Sequence, residues 1–321
     1  MNQPPFQITP GILSLVASLQ ELIGEFNSFS RQTPSVKLRR ENQIRTVRHS
    51  LAIEGNSLSE QQITAILEDK RVVGPQAQIL EVKNALQVYK ELSDFDPLKE
   101  SDFLRAHKVM MRSLVPTPGR YRSSGVGRFK GTQVGHVAPP ASRVPSLMGE
   151  LFKFLNGDPR IPWSVKACVF HYELEFIHPF SDGNGRMGRL WQQLILMKQS
   201  PIFEFVSSES LVHKQQKEYY KVLEKCDRAG DSTLFIEFSL RTILAALQEL
   251  TKNYKPTRAM PEDRIRAALE HFGKRAFSRK DYMNFNKGIS TASASRDLLR
   301  GCERDLILKS GDRATATYKK K

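Results

Sequence analysis

A histidine, an aspartate, a Gly-Asn-Gly turn and two arginines fall within one short stretch of this chain, HPFSDGNGRMGR, from His178 to Arg189. Pro179 excludes the α conformation at His178, so the helical run WSVKACVFHYELEFI has to end there. Gly183 and Gly185 permit positive φ and close backbone approach. The following RMGRLWQQLILM reads as a helix whose Leu190, Leu194, Ile195 and Met197 can face a core. The motif is thus a loop feeding a helix N-terminus, where unpaired N–H groups and the helix dipole attract anions. Arg186 and Arg189 lie three residues apart and share a helix face, so two guanidinium groups can meet a di- or triphosphate. Asp182 beside the cradle can hold magnesium together with substrate phosphates. His178 can take the proton of an attacking hydroxyl near neutral pH. Phe180 reads as the anchor of the loop in the core. The chemistry implied is phosphoryl or nucleotidyl transfer, in which positioning and charge stabilisation dominate.

These residues need a scaffold, and helical spacing supplies most of it. Helices are expected over 11–27, 38–55, from Ser59, and over 76–92, 101–113, 143–156, 162–177, 185–199, 210–228 and 232–252. Gly55-Asn56 reads as a C-terminal cap. Ser59 with Gln62 reads as a capping box, and Leu58 with Ile63 as a hydrophobic staple. The Gly- and Pro-rich stretch 116–140, with Val126, Phe129, Val134 and Val137 alternating, reads as a β-hairpin projecting from the helices.

Near Lys255-Pro256 the character changes. Residues 258–321 hold sixteen Lys or Arg and eight Asp or Glu, about half the chain's net charge of +15 in a fifth of its length. Helices at 261–271, 278–284 and 290–302 precede two short strands around Ser310-Gly311-Asp312, which resembles a winged helix. Arg296 and Arg300 share a face of the last helix, and Lys319-Lys320-Lys321 could touch phosphates. Asp297 and Glu303 on the same helix weaken the case for a DNA groove, and contact with protein is the other reading of residues 256–321. The basic balance points to polyanionic partners, or simply to solubility. Three cysteines without motif spacing support neither zinc nor a disulfide framework. The N-terminal residues read as neither signal peptide nor spanning helix, so no membrane partner is expected and a reducing cytoplasm is the default location.

HPFSDGNGRMGR resembles the Fic-domain signature at every defining position. SLAIEGNSL, MMRSLVPTPGRYR and KEYYKVLEKCDRAGD are also similar to Fic segments, from about Leu38 to Leu250. The resemblance implies a mostly α fold. It would comprise an N-terminal helical extension (1–36), a Fic domain (37–255) with a β-hairpin flap, and a small α+β winged-helix-like domain (256–321). It implies transfer of AMP from ATP, with Mg2+, to a Ser, Thr or Tyr hydroxyl of a protein. His178 would be the base and Asp182 the metal ligand, with Gly183, Asn184 and Gly185 as the phosphate cradle. Arg186 would hold the phosphates and Arg189 would orient the γ-phosphate. Gly185 stands where a kinase-like branch carries Lys, which favours AMP transfer over phosphate transfer. Tyr219, Tyr220 and Asp227 resemble positions near the nucleoside, although two adjacent tyrosines on a helix cannot share one face.

SLAIEGN, Ser50 to Asn56, resembles the family's inhibitory motif, placed before the core as in the branch that inhibits itself. Glu54 would pair with Arg189 and leave the α-phosphate misaligned. The hairpin would hold a target segment by strand addition. Self-modification and a homodimer are further expectations. The alternatives are a Fic-fold transferase with another nucleotide donor, and a DNA-binding regulator whose core only senses nucleotide.

Overall fold

The computed structural model describes residues 4–29, 36–125, 127–130, 133–253, 261–273, 275–286, 289–312 and 316–321. The chain first forms α1 (Pro10–Phe29), α2 (Val36–Ile53), α3 (Glu60–Leu67), α4 (Gln76–Lys90) and α5 (Glu100–Met110). A hairpin of β1 (Gly127–Lys130) and β2 (Gln133–Val137) follows, then α6 (Val144–Asn156), α7 (Trp163–Ile177) and α8 (Asn184–Gln199). Next come α9 (Ser208–Lys214), α10 (Gln216–Ala229), α11 (Thr233–Asn253) and α12 (Pro261–Phe272). The chain ends with β3 (Phe277–Ser278), α13 (Arg279–Phe285), α14 (Thr291–Glu303), β4 (Ile307–Ser310) and β5 (Thr317–Lys320). It divides into two compact units, Met1–Phe26 with Pro34–Asn253 and Asn27–Thr33 with Tyr254–Lys321. The mostly helical class is the one the sequence implies.

In the larger unit α7 and α8 form the centre. Val165 to Tyr172 and Met187 to Leu196 are buried without interruption, as befits helices surrounded on all sides. Gly188 lets them close: an added Cβ would stand 2.7 Å from His171 Cδ2. Buried Lys166 turns its charge to the end of α6, donating to the carbonyls of Leu155 at 3.2 Å and Gly157 at 3.1 Å, which have no partner within that helix. The segment before α1 is tied to α11. Thr9 Oγ1 donates to Glu237 Oε1 at 2.7 Å, and Ser232 N donates to Pro5 O at 2.9 Å. The described residues up to Phe26 therefore belong to the larger unit.

Local signals hold where the sequence is explicit. Ser59 and Gln62 make the reciprocal capping box. Gly55 takes φ 95° after α2, and Asn56 N reaches back to Leu51 O at 3.1 Å. The expected helix 210–228 is instead two helices that break at Gln215. No Gly or Pro marks that break. Packing makes it, because α9 buries Glu209, Ser210 and Val212, whereas α10 buries Tyr219, Leu223 and Cys226. The hairpin is narrower than 116–140, and its register shifts between Arg128 and Phe129. The expected alternation of Val126, Phe129, Val134 and Val137 falls on side chains outside the described residues.

The smaller unit packs α12, α13 and α14 around Ile265, Leu269, Phe277, Tyr282, Leu298 and Ile307. Its sheet is antiparallel in the order β3-β5-β4. The two-residue strand β3 was not visible in the sequence, since pairing with Thr317 and Tyr318 is what defines it. Asp297 is 1% exposed. It accepts bonds from Arg264 at 2.6 and 2.7 Å and from Tyr282 Oη at 3.2 Å. A buried carboxylate of this kind has to be paired.

Candidate active site

The loop between α7 and α8 begins with strain. His178 leaves the α conformation, as the following proline requires, but adopts φ 51° and ψ 58°, a left-handed geometry that costs free energy in a non-glycine residue. Arg122 Nε donates to the His178 carbonyl at 2.7 Å and braces it there. Phe180 is fully buried, and its ring stacks on His107 with centroids 3.5 Å apart. His107 Nδ1 accepts from Gly119 N at 2.8 Å, which leaves Nε2 to donate to the Asp182 carbonyl at 3.1 Å. Burial, the largest cause, lowers the His107 pKa to about 4, so the ring is neutral and its proton stays at Nε2.

Asn184 serves the loop more than a ligand. Its side-chain amide is buried, donating to Phe180 O at 3.0 Å and accepting from Phe180 N at 2.9 Å. Gly183 has φ 86°, and a Cβ there would stand 2.8 Å from Met111 Sδ. Together these contacts fold the backbone so that α8 starts at the wall of a cavity of about 210 Å³. The cavity is lined by His178, Ser181, Asp182, Gly183, Asn184, Gly185 and Arg189 of the motif. Glu54, Glu175, Tyr219 and Tyr220 complete it. It is enclosed enough to favour electrostatic contacts and is walled by helix-terminal N–H groups.

Arg189 is 3% exposed and already occupied. Its Nη2 donates to Glu54 Oε1 at 2.8 Å and to Ser50 O at 3.0 Å, and its Nε donates to Ser50 Oγ at 3.2 Å. Burial, the largest single cause, would lower its pKa; Glu54, Tyr219 and Glu175 together outweigh that and raise it. Gly185 makes room for this pair, since a Cβ there would lie 2.5 Å from Glu54 Oε1. Glu54, singled out through the resemblance to the inhibitory motif, lies against Arg189, and Ser50 bonds the same guanidinium.

Arg186 differs from expectation. It does not line the cavity; its guanidinium donates to Asp182 Oδ2 at 2.9 Å and to Glu81 Oε1 at 3.2 Å. Residues three apart on a helix are still about 60° apart around its axis, and that turn carries Arg186 toward α4. Glu81 also accepts from Asn56 Nδ2 at 2.8 Å, so Asn56, just after α2, reaches Asp182 through two side chains. Tyr219 and Tyr220 both line the cavity, the first 1% exposed and the second 40%. Asp227 does not line it and accepts from Tyr172 Oη at 3.2 Å.

Sequence reading missed Arg122, His107, Glu81 and Glu175. Glu175 lies one turn before His178, lines the cavity and accepts from Tyr219 Oη at 3.3 Å. Arg122 sat within a quoted segment, MMRSLVPTPGRYR, but its partners are backbone carbonyls that no pattern identifies. Among the described residues no group of three or more His, Cys, Asp or Glu could hold a metal ion. The exposed Asp182 carboxylate at the cavity edge remains a fit for an ion shared with substrate phosphates.

The Fic/DOC family profile matches residues 97–196. Protein adenylyltransferase fic-1 from Caenorhabditis elegans is 28% identical over 250 residues, covering 73% of this chain and 46% of that protein. Protein adenylyltransferase Fic from Aedes aegypti is 32% identical over 216 residues, covering 62% of this chain and 40% of that protein. The chain spans about half the length of the curated relatives it matches. Fic-1 from C. elegans, in a solved structure, gives a TM-score of 0.62 at 26% identity over 75% of this chain and 72% of that one. A crystal structure of a Fic family protein from Desulfovibrio desulfuricans G20 gives a TM-score of 0.75 at 40% identity, covering 100% of this chain and 98% of that one. An alignment that runs from end to end, over a chain whose signature loop builds an anion cavity at the head of α8, makes this chain a member of the Fic family.

Proposed function

We propose that this protein is an adenylyltransferase that moves AMP from ATP to a Ser, Thr or Tyr hydroxyl of a protein, and that Glu54 holds it off. One observation carries the reading: the Glu54 carboxylate sits 2.8 Å from the Arg189 guanidinium inside the cavity that His178 lines. The names of the curated relatives agree with the activity. In the reaction, the hydroxyl oxygen attacks the α-phosphorus, its proton passes to a ring nitrogen of His178, and the bond to pyrophosphate breaks. Backbone N–H groups of Gly183 to Gly185 steady the phosphates. Asp182, oriented by Arg186, would hold a magnesium ion, which neutralises phosphate charge when bound. While Glu54 occupies Arg189, the γ-phosphate has no guanidinium to align it. A misalignment near 1 Å costs on the order of 10²-fold in rate.

The test is Glu54→Gly with labelled ATP and magnesium. Incorporation of AMP should rise on the order of 10²-fold, and His178→Ala in that background should abolish it. Equal low rates in both Glu54 forms would remove the brake; persistent transfer without His178 would remove the base. Intact mass after incubation with a nucleotide panel separates ATP from another donor and also reads self-modification. Sedimentation of the same sample reads the expected homodimer. A cytoplasmic location goes with this reading, and among the described residues no helix is long and apolar enough to cross a membrane.

A second reading concerns the smaller unit as a winged helix on duplex DNA, and burial of Asp297 favours it. The carboxylate that seemed to spoil the face of α14 is in the core with Arg264. The exposed residues of α14 include Arg296, Leu299 and Arg300, with the acidic Glu303 at its end, and Arg279 from α13 donates to Ser295 Oγ at 3.1 Å beside them. A basic helix face with a β-ribbon after it suits a groove flanked by phosphates. The full chain should shift duplex DNA in a salt-dependent way, and Arg296→Ala with Arg300→Ala should weaken the shift. Salt-independent binding, or none, would leave contact with protein as the role of this unit.

A further inference from the structure

Arg122 is only 6% exposed, yet each of its side-chain bonds among the described residues goes to a backbone carbonyl. Its guanidinium gathers four carbonyl oxygens from three stretches of chain. Nε donates to His178 O at 2.7 Å and Nη2 to Ile177 O at 3.3 Å. Nη1 donates to Ser124 O at 2.8 Å, and Nη2 also to Pro139 O at 2.6 Å. Its own backbone N donates to Pro179 O at 2.9 Å. Ser124 and Pro139 flank the hairpin β1–β2, and Ile177 to Pro179 is the turn that carries the candidate base.

A buried cation without a counter-ion is a poor source of stability, and burial lowers the Arg122 pKa. What the residue does supply is geometry. Guanidinium is a planar fork of five donors, so carbonyls bonded to it are fixed relative to one another. One side chain therefore ties both roots of the hairpin to the left-handed residue His178.

We propose that Arg122 is a positioning residue that keeps the hairpin and His178 in one register. A hydroxyl delivered along the hairpin edge then arrives at the imidazole. This rests on the adenylyltransferase reading. Arg122 itself touches neither the cavity nor its phosphate-binding residues Gly183 to Arg189. Lysine in its place keeps the charge but can serve only part of the carbonyl set.

The test uses the full chain in the Glu54→Gly background, with and without Arg122→Lys, and ATP with magnesium. Self-modification is followed by intact mass. The expected result is a fall in kcat of about tenfold or more, with KM for ATP and nucleotide affinity held within about twofold. The titration of the His178 ring, followed by ¹⁵N NMR, should move. Replacing residues 128–134 with Gly-Ser should lower transfer as well, and Arg122→Lys should then add little, because both changes act on one alignment. Transfer unchanged by Arg122→Lys would overturn the proposal. So would losses that multiply independently of the hairpin, or a loss of nucleotide affinity alongside rate, which would make Arg122 a support of the fold alone. If the Glu54→Gly parent transfers no AMP, the adenylyltransferase reading fails separately, and an unmoved His178 titration then overturns the clamp by itself.

Discussion

Glu209 shows how much a single side chain behind α2 can weigh. It is 1% exposed on α9, a helix packed against α2. Burial, the largest cause, raises its pKa to about 7, with the charge of Arg189 acting in the opposite sense. The unfolded chain loses this proton near 4.5, whereas the folded chain keeps it to about 7. Between those values the folded state holds more protons, so stability falls as pH rises and the full cost is present above pH 7. Glu209→Gln should therefore raise stability at pH 8 by about 3 kcal/mol and change it little at pH 4. Urea unfolding of both forms at the two pH values measures this; an equal gain at both would exclude the buried carboxylate as its source. Glu209 drew no attention in the sequence, because a Glu in the first turn of a helix ordinarily faces water.

At the scale of elements, the C-terminal end of α2 is held at several points, which is what the proposed brake requires. Gln216 Nε2 donates to Ile53 O at 2.8 Å, and Asn56 Nδ2 donates to Gln78 O at 3.1 Å and to Glu81 at 2.8 Å. Loosening this end should let Glu54 leave Arg189 part of the time. Asn56→Ala is expected to raise basal AMP transfer severalfold, below the level of Glu54→Gly, since the Glu54–Arg189 pair itself survives. Initial rates of labelled AMP incorporation compare the three forms, and an Asn56→Ala rate equal to wild type would place the hold elsewhere. The capping signals around Gly55 and Ser59 were legible in the sequence because they are local. The break at Gln215 was not, because it answers to what α9 and α10 each bury.

For the whole molecule, each of the two units contains an ionic contact made by a largely buried arginine. In the smaller unit Asp297 binds Arg264 in bidentate fashion. Asp297→Ala removes the carboxylate from that guanidinium, and breaking a buried pair typically costs about 3–5 kcal/mol. Hydrogen exchange across residues 289–312 should accelerate accordingly, and duplex binding should fall with it. Protection unchanged in α14 would mean that the pair contributes little. In the larger unit the corresponding contact is Arg189 with Glu54, at 2.8 Å.

The sequence by itself determined what is local. Within HPFSDGNGRMGR, proline, glycine and helix-start chemistry act over a few residues, so the loop, the anion-attracting N-terminus and a candidate base could be read directly, whereas Ser50 with Glu54 came from the resemblance of SLAIEGN to the inhibitory motif. Tertiary structure decided everything that crosses the chain. Arg122 meets the His178 carbonyl 56 residues away, His107 meets that of Asp182 at 75, and Arg186 meets Glu81 at 105. Two of these contacts end on backbone carbonyls, which every residue carries, and the third turns an expected phosphate ligand toward α4. Only the packing of α7 and α8 among their neighbours selects those partners, because burial demands that each donor find an acceptor wherever the fold supplies one.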